Sequence, residues 1–180
     1  MKQVLLTYVR ADSDVLQRSV WNRLARWVAP ASCDDLPTVL HAELFFPADN
    51  YYEGNQVRGT ACGITFGGQV YFRERAYSTR DWVFRSLDLA DGDYDKLRHW
   101  AHAQAGKPFD TWSFVMAPLF ATNRTHAWFC SKLVGKGLLD NTHVSLTCSE
   151  MQHPQALYNA MYERTRPAMR PVDAKQLVLV

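Results

Sequence analysis

The run "KQVLLTYVR" (2–10) reads as a strand, and "ADSDVLQRSVWNRLARWVAP" (11–30) follows it with helical periodicity. Leu16, Val20, Leu24, Trp27 and Val28 fall near one face of that helix, Asp12 or Ser13 caps it, and Pro30 ends it. After a turn segment, "VLHAELFF" (39–46) reads as a strand closed by Pro47. Its two-residue period puts Val39, His41, Glu43 and Phe45 on one face. Leu40, Ala42, Leu44 and Phe46 take the other, wholly apolar face. "PADNYYEGNQVRG" (47–59) reads as a loop, and "TACGITFGGQVYFRERAY" (60–77) as a hairpin turning at Gly67-Gly68. "RDWVFRSLDL" (80–89) adds an extended segment.

Helical spacing returns at 91–106, where Leu97, Trp100, Ala101 and Gln104 repeat and Gly106 supplies a C-cap. An aromatic loop (107–128) leads to a short helix from Cys130 to about Leu139. A last helix spans 154–164 with Pro154 in its first turn, and "KQLVLV" (175–180) is a strand candidate. The pattern predicts an α+β fold, an antiparallel sheet with helices packed to one side, in a single domain over 1–180.

Composition narrows the function classes. The chain has 180 residues, 47% hydrophobic and 21% charged, with a formal net charge of +2. Acidic and basic residues are mixed, so there is no electrostatic case for binding nucleic acid or an anionic membrane. No apolar run approaches the roughly 18–20 residues of a membrane span, and "VLLTYV" lacks the cleavage site of a signal peptide. A soluble protein, cytoplasmic or packaged in a virion, is the expectation. The cysteines, Cys33, Cys62, Cys130 and Cys148, form no C-x-x-C pair and are expected to be free thiols. The sequon at Asn123-Arg124-Thr125 reads as chance in such a setting.

The chemistry centres on "HAWFCSKLVGKGLLD" (126–140). Cysteine attacks as thiolate, and a helix N-terminus favours that form by presenting unsatisfied N–H groups. Cys130 opens the predicted helix. It needs an imidazole to take its proton and a third polar group to fix the imidazole.

Two phrases, "GKPFDTWSF" (106–114) and "WFCSKLV" (128–134), resemble the NlpC/P60 papain-like cysteine hydrolases. That family's signature is a helix ending in G-x-P-[YF], an aromatic loop, and C-S-x-L-V opening the nucleophile helix. Its ordinary order places the histidine strand well after the cysteine. Here His143 and His153 follow too soon, on turn and helix-start segments. The circularly permuted branch, which includes bacterial, lecithin-retinol-acyltransferase-like and large-DNA-virus members, puts the histidine strand first, and "VLHAELFF" resembles that strand. The resemblance spans roughly 35–165. It implies a permuted papain-like core, with Cys130 as nucleophile, His41 as base and no metal or organic cofactor. Substrates across the superfamily are peptide bonds, peptidoglycan amides and lipid esters.

The third residue stays open. Counting along from His41 reaches Glu53, Asn55 and Gln56; pairing across the loop puts Thr65 opposite His41; Glu43 shares the histidine's face and is favoured. Lys132 stands where family members often carry Glu. Cys148 in "LTCSEM" is read as structural, because Pro154 interrupts any helix there. His99 and His102 lack a carboxylate partner for a metal, His126 is a bystander, and Trp112 and Trp128 build core or wall a cleft. Two rivals to an enzyme remain: an inactive papain-like module serving as a binding or virion structural protein, and a structural domain with four buried thiols.

Overall fold

A computed structural model describes residues 1–13, 26–111 and 127–168 of the chain. In order, the elements are β1 (Lys2–Arg10), β2 (Val39–Glu53), β3 (Gln56–Ile64), β4 (Val70–Ser78), β5 (Trp82–Leu89), α1 (Asp91–Ala103), α2 (Cys130–Asn141), α3 (Pro154–Met161) and β6 (Arg166–Pro167). The strands form one antiparallel sheet in the order β4-β3-β2-β1-β5-β6. This is an α+β architecture. Most of the first predicted helix, the 112–126 segment with Trp112 and His126, and the terminal strand candidate lie outside the described residues.

One sheet face packs on the helices. Tyr8, Ala42, Leu44 and Phe46 meet Leu97, Leu133, Val134, Leu138 and Leu157 there in a continuous core. The other face carries Leu5, Val9, Phe45, Tyr77, Trp82 and Phe84. In a flat sheet β4 and β5 would stand four strand spacings apart, about 19 Å. The link from Ser78 to Trp82 reaches only about 14 Å fully extended. The sheet must therefore curl around this second face, and Tyr77 of β4 lies stacked on Trp82 of β5 with ring centroids 4.0 Å apart at 7°.

Pro47 does not close β2. The strand runs on to Glu53, with an irregularity in its pairing to β3 between Pro47 and Tyr52. The expected loop is instead the tip of a β2–β3 hairpin, turning at Gly54 with φ +59°. Pro47 itself stays in register with Gly59, and the irregularity follows it. A second irregularity corrects the face assignment. Val9 pairs with His41 but Arg10 with Val39, so Leu40 is extra and the alternation slips there. Val39 joins the helix-side core while His41, Glu43 and Phe45 keep the curled face.

The bulge is pinned from the helix side. The buried Gln155 of α3 accepts the Val39 N–H at 2.7 Å, and its amide donates to Ser32 Oγ at 3.2 Å and Asn159 Oδ1 at 2.8 Å. Gln155→Leu keeps the volume and strands that buried N–H. It is expected to cost about 1–3 kcal/mol in chemical denaturation.

Further expectations are adjusted by the structure. The α1 C-cap is Gln104, and Gly106 follows with φ +84°, donating its N–H to Val70 O at 2.9 Å. Trp27 and Val28 are exposed rather than core-facing. Among the described residues, no helix is long and apolar enough to cross a membrane.

Candidate active site

Cys130 is the first residue of α2. Phe129 precedes it in extended conformation (φ −120°, ψ 163°), and the Leu133 N–H bonds back to Phe129 O at 2.9 Å. No side chain caps this end and no acidic residue occupies its first turn. The sulfur therefore sits beside the helix's unsatisfied N–H groups and the positive end of its dipole. The approach to it is fixed by backbone pairing: Trp128 donates to Pro108 O at 3.1 Å and Asp110 donates to Trp128 O at 2.8 Å. Trp128 is buried against Trp100, so it builds core and does not wall a cleft. Ser131 is buried and donates to Met151 O at 2.9 Å, tying the helix to the "LTCSEM" segment. Lys132 is buried with its ammonium 5.9 Å from the ring centres of both Trp128 and Phe129.

His41 comes to this helix end from β2. Its ring hydrogen-bonds the Cys130 sulfur, and its Nε2 lies 2.8 Å from Glu43 Oε1. With Nε2 committed to the carboxylate, Nδ1 is the nitrogen left for the thiol. The ring rests edge-on to Trp82 at 6.0 Å. Burial alone would lower the His41 pKa. The negative charge and hydrogen bond of Cys130, joined by those of Glu43, outweigh burial and push it up to about 10. A protonated imidazole is the state these interactions favour.

Glu43 is 1% exposed and fully engaged. Oε1 accepts from His41 and from the Tyr71 hydroxyl at 2.5 Å; Oε2 accepts from the Tyr77 hydroxyl at 2.6 Å. Burial opposes its charge, but the His41 interaction and the two phenols prevail and hold its pKa below the usual carboxylate range. Burial and the Glu43 charge push both tyrosine pKa values up, so the phenols remain donors. Gly63 makes room: a Cβ there would lie 2.5 Å from Glu43 Cδ.

The other candidates for a third residue are elsewhere. Glu53, Asn55 and Gln56 are exposed at the far hairpin tip, not in a loop beside His41, and Glu53 pairs with Arg58 at 2.7 Å. Thr65 is exposed, and the β2–β3 ladder stops at Leu44↔Cys62, before His41 and Thr65 would meet. Of the remaining histidines, His99 and His102 are exposed on α1, and no metal-binding group of residues occurs among the described residues. His143 is 98% exposed, and His153 caps α3 by accepting the Gln155 N–H at 3.0 Å. Cys33 and Cys148 are exposed and Cys62 and Cys130 buried, which counts against the rival of a structural domain with four buried thiols.

Tyr71, Tyr77 and Gly63 are absent from the sequence-level candidates. Their signals were present: two tyrosines an even number of positions apart along one strand, and a glycine inside a strand, where close approach of another group is the usual reason. No protein-family model matches the chain, and no curated protein or solved structure does.

Proposed function

We propose that the protein is a cysteine hydrolase or acyltransferase of the permuted papain-like kind. The carrying observation is the continuous line Cys130–His41–Glu43, with the thiol on the first residue of a helix and the carboxylate buried behind the imidazole.

In the proposed cycle the Cys130 thiolate attacks an amide or ester carbonyl. The Cys130 N–H, unbonded within the helix, helps hold the oxyanion. Protonated His41 gives its Nδ1 proton to the leaving amine or alcohol, and a thioester forms. Neutral His41 then takes a proton from water, or from another acceptor, which attacks the thioester. The acid or transferred acyl product leaves, and the thiolate–imidazolium pair is restored. Glu43 keeps the Nε2 proton throughout, which stabilises the imidazolium and fixes its orientation. Peptide, peptidoglycan and lipid-ester carbonyls all fit this chemistry.

The cysteines supply their own controls. Cys33 and Cys148 are exposed, and burial pushes the Cys62 thiol up to about 12. Iodoacetamide at pH 5.5, with adducts mapped by mass spectrometry, is expected to label Cys130 ahead of all three. His41→Ala is expected to slow that labelling about 100-fold. Cys33 or Cys148 reacting faster than Cys130 at this pH would sink the proposal, as would His41→Ala without effect. An inactive papain-like module gives the latter result.

A further inference from the structure

Glu43 is held by more than its histidine. Tyr71 and Tyr77 come from opposite ends of β4, and each places its hydroxyl on a different carboxylate oxygen. With the His41 Nε2–H, every described donor to this buried carboxylate is accounted for. Tyr77 is in turn stacked on Trp82, which also packs on His41. The carboxylate, imidazole and two phenols thus form one closed set on the curled face. Phenylalanine at either position would satisfy the packing equally well. Tyr77 is buried and Tyr71 half-buried, and the two hydroxyls find the same carboxylate as acceptor.

We propose that Tyr71 and Tyr77 are positioning residues that act through Glu43: they keep it ionised and aimed at His41 Nε2, and so keep the His41–Cys130 pair charged. The inference rests on the Cys130–His41 reading. The two hydroxyls add to His41 in offsetting the burial that would otherwise neutralise Glu43. Without them the carboxyl takes up a proton more readily, its hold on the imidazolium weakens, and His41 gives up its proton at a lower pH.

Tyr71→Phe, Tyr77→Phe and the double variant keep the rings and remove only the hydroxyls. The readouts are the NMR titration of the His41 ring and the rate of Cys130 alkylation by iodoacetamide from pH 5 to 11, with melting temperatures recorded alongside. Each single change is expected to lower the His41 midpoint by about one pH unit from about 10 and to move the alkaline step of the labelling profile down by the same amount, with labelling at pH 5 little changed. A purely structural role would lower the melting temperature and leave the titration and the shape of the rate–pH profile unmoved; that result overturns the proposal. If His41→Ala labels as fast as the wild type, the Cys130–His41 reading fails, and the His41 titration in the Phe variants still decides whether the tyrosines act through Glu43.

Discussion

Glu43→Ala is expected to destabilise the protein by about 3–5 kcal/mol at neutral pH, the usual cost of removing one partner from a buried pair. The change leaves the His41 imidazolium without its carboxylate and the Tyr71 and Tyr77 phenols without this acceptor. The pH dependence carries a definite sign. The Glu43 pKa is depressed in the folded state, so its contribution is present above the ordinary carboxylate value of 4.5 and is lost as pH falls through the folded value. The His41 pKa is raised, so its contribution is complete below 6.5 and is lost as pH climbs through about 10. Denaturation midpoints of wild type and Glu43→Ala should differ most between these limits and converge in acid, where the wild-type carboxyl is itself protonated. A gap that stays constant down to pH 3 would mean that the carboxylate charge contributes nothing.

Gly63→Ala is expected to damage the same carboxylate by crowding it. The new Cβ would stand 2.5 Å from Glu43 Cδ and 2.8 Å from both Cγ and Oε1. Glu43 cannot swing aside without breaking bonds to His41, Tyr71 or Tyr77. The expected cost is about 1–3 kcal/mol, typical of overpacking, together with loss of acid-resistant Cys130 labelling. Gly59→Ala is the matched control on the same strand. Its Cβ would meet Phe46 O at 2.4 Å and Phe45 Cε1 at 2.6 Å, away from the carboxylate. It should lower stability while the folded fraction keeps the labelling profile. Equal loss of labelling in both variants would show that the effect is general disruption.

The legible parts of this fold are those that local chemistry settles. Gly67-Gly68 marks the β3–β4 turn, with Gly67 at φ +70°, and Pro154 stands in the first turn of α3. The strand period also places His41 and Glu43 on one face, and the two side chains do meet. Non-local choices were not legible. Pro47 reads as a stop, yet pairing with β3 carries the strand past it. The bulge at Leu40 slips the alternation because β1 dictates the register, and nothing in "VLHA" announces it. The tyrosine pair depends on the curl of the sheet, which follows from strand order and not from any local phrase. Counting forward from His41 reaches Glu53, Asn55 and Gln56, which the β2–β3 hairpin carries away from the site.

The curl also bears on when a reactive thiol can exist. Positions 41 and 130 are distant in sequence, and β3, β2 and β1 stand between β4 and β5 in the sheet although one short link joins those two strands. Such non-local pairings are slow to form, since loop closure must precede them. Under the proposed function, an unfolded or half-made chain carries an ordinary cysteine with an ordinary histidine far away. Nucleophilic power then arrives only when β2 and α2 are brought together.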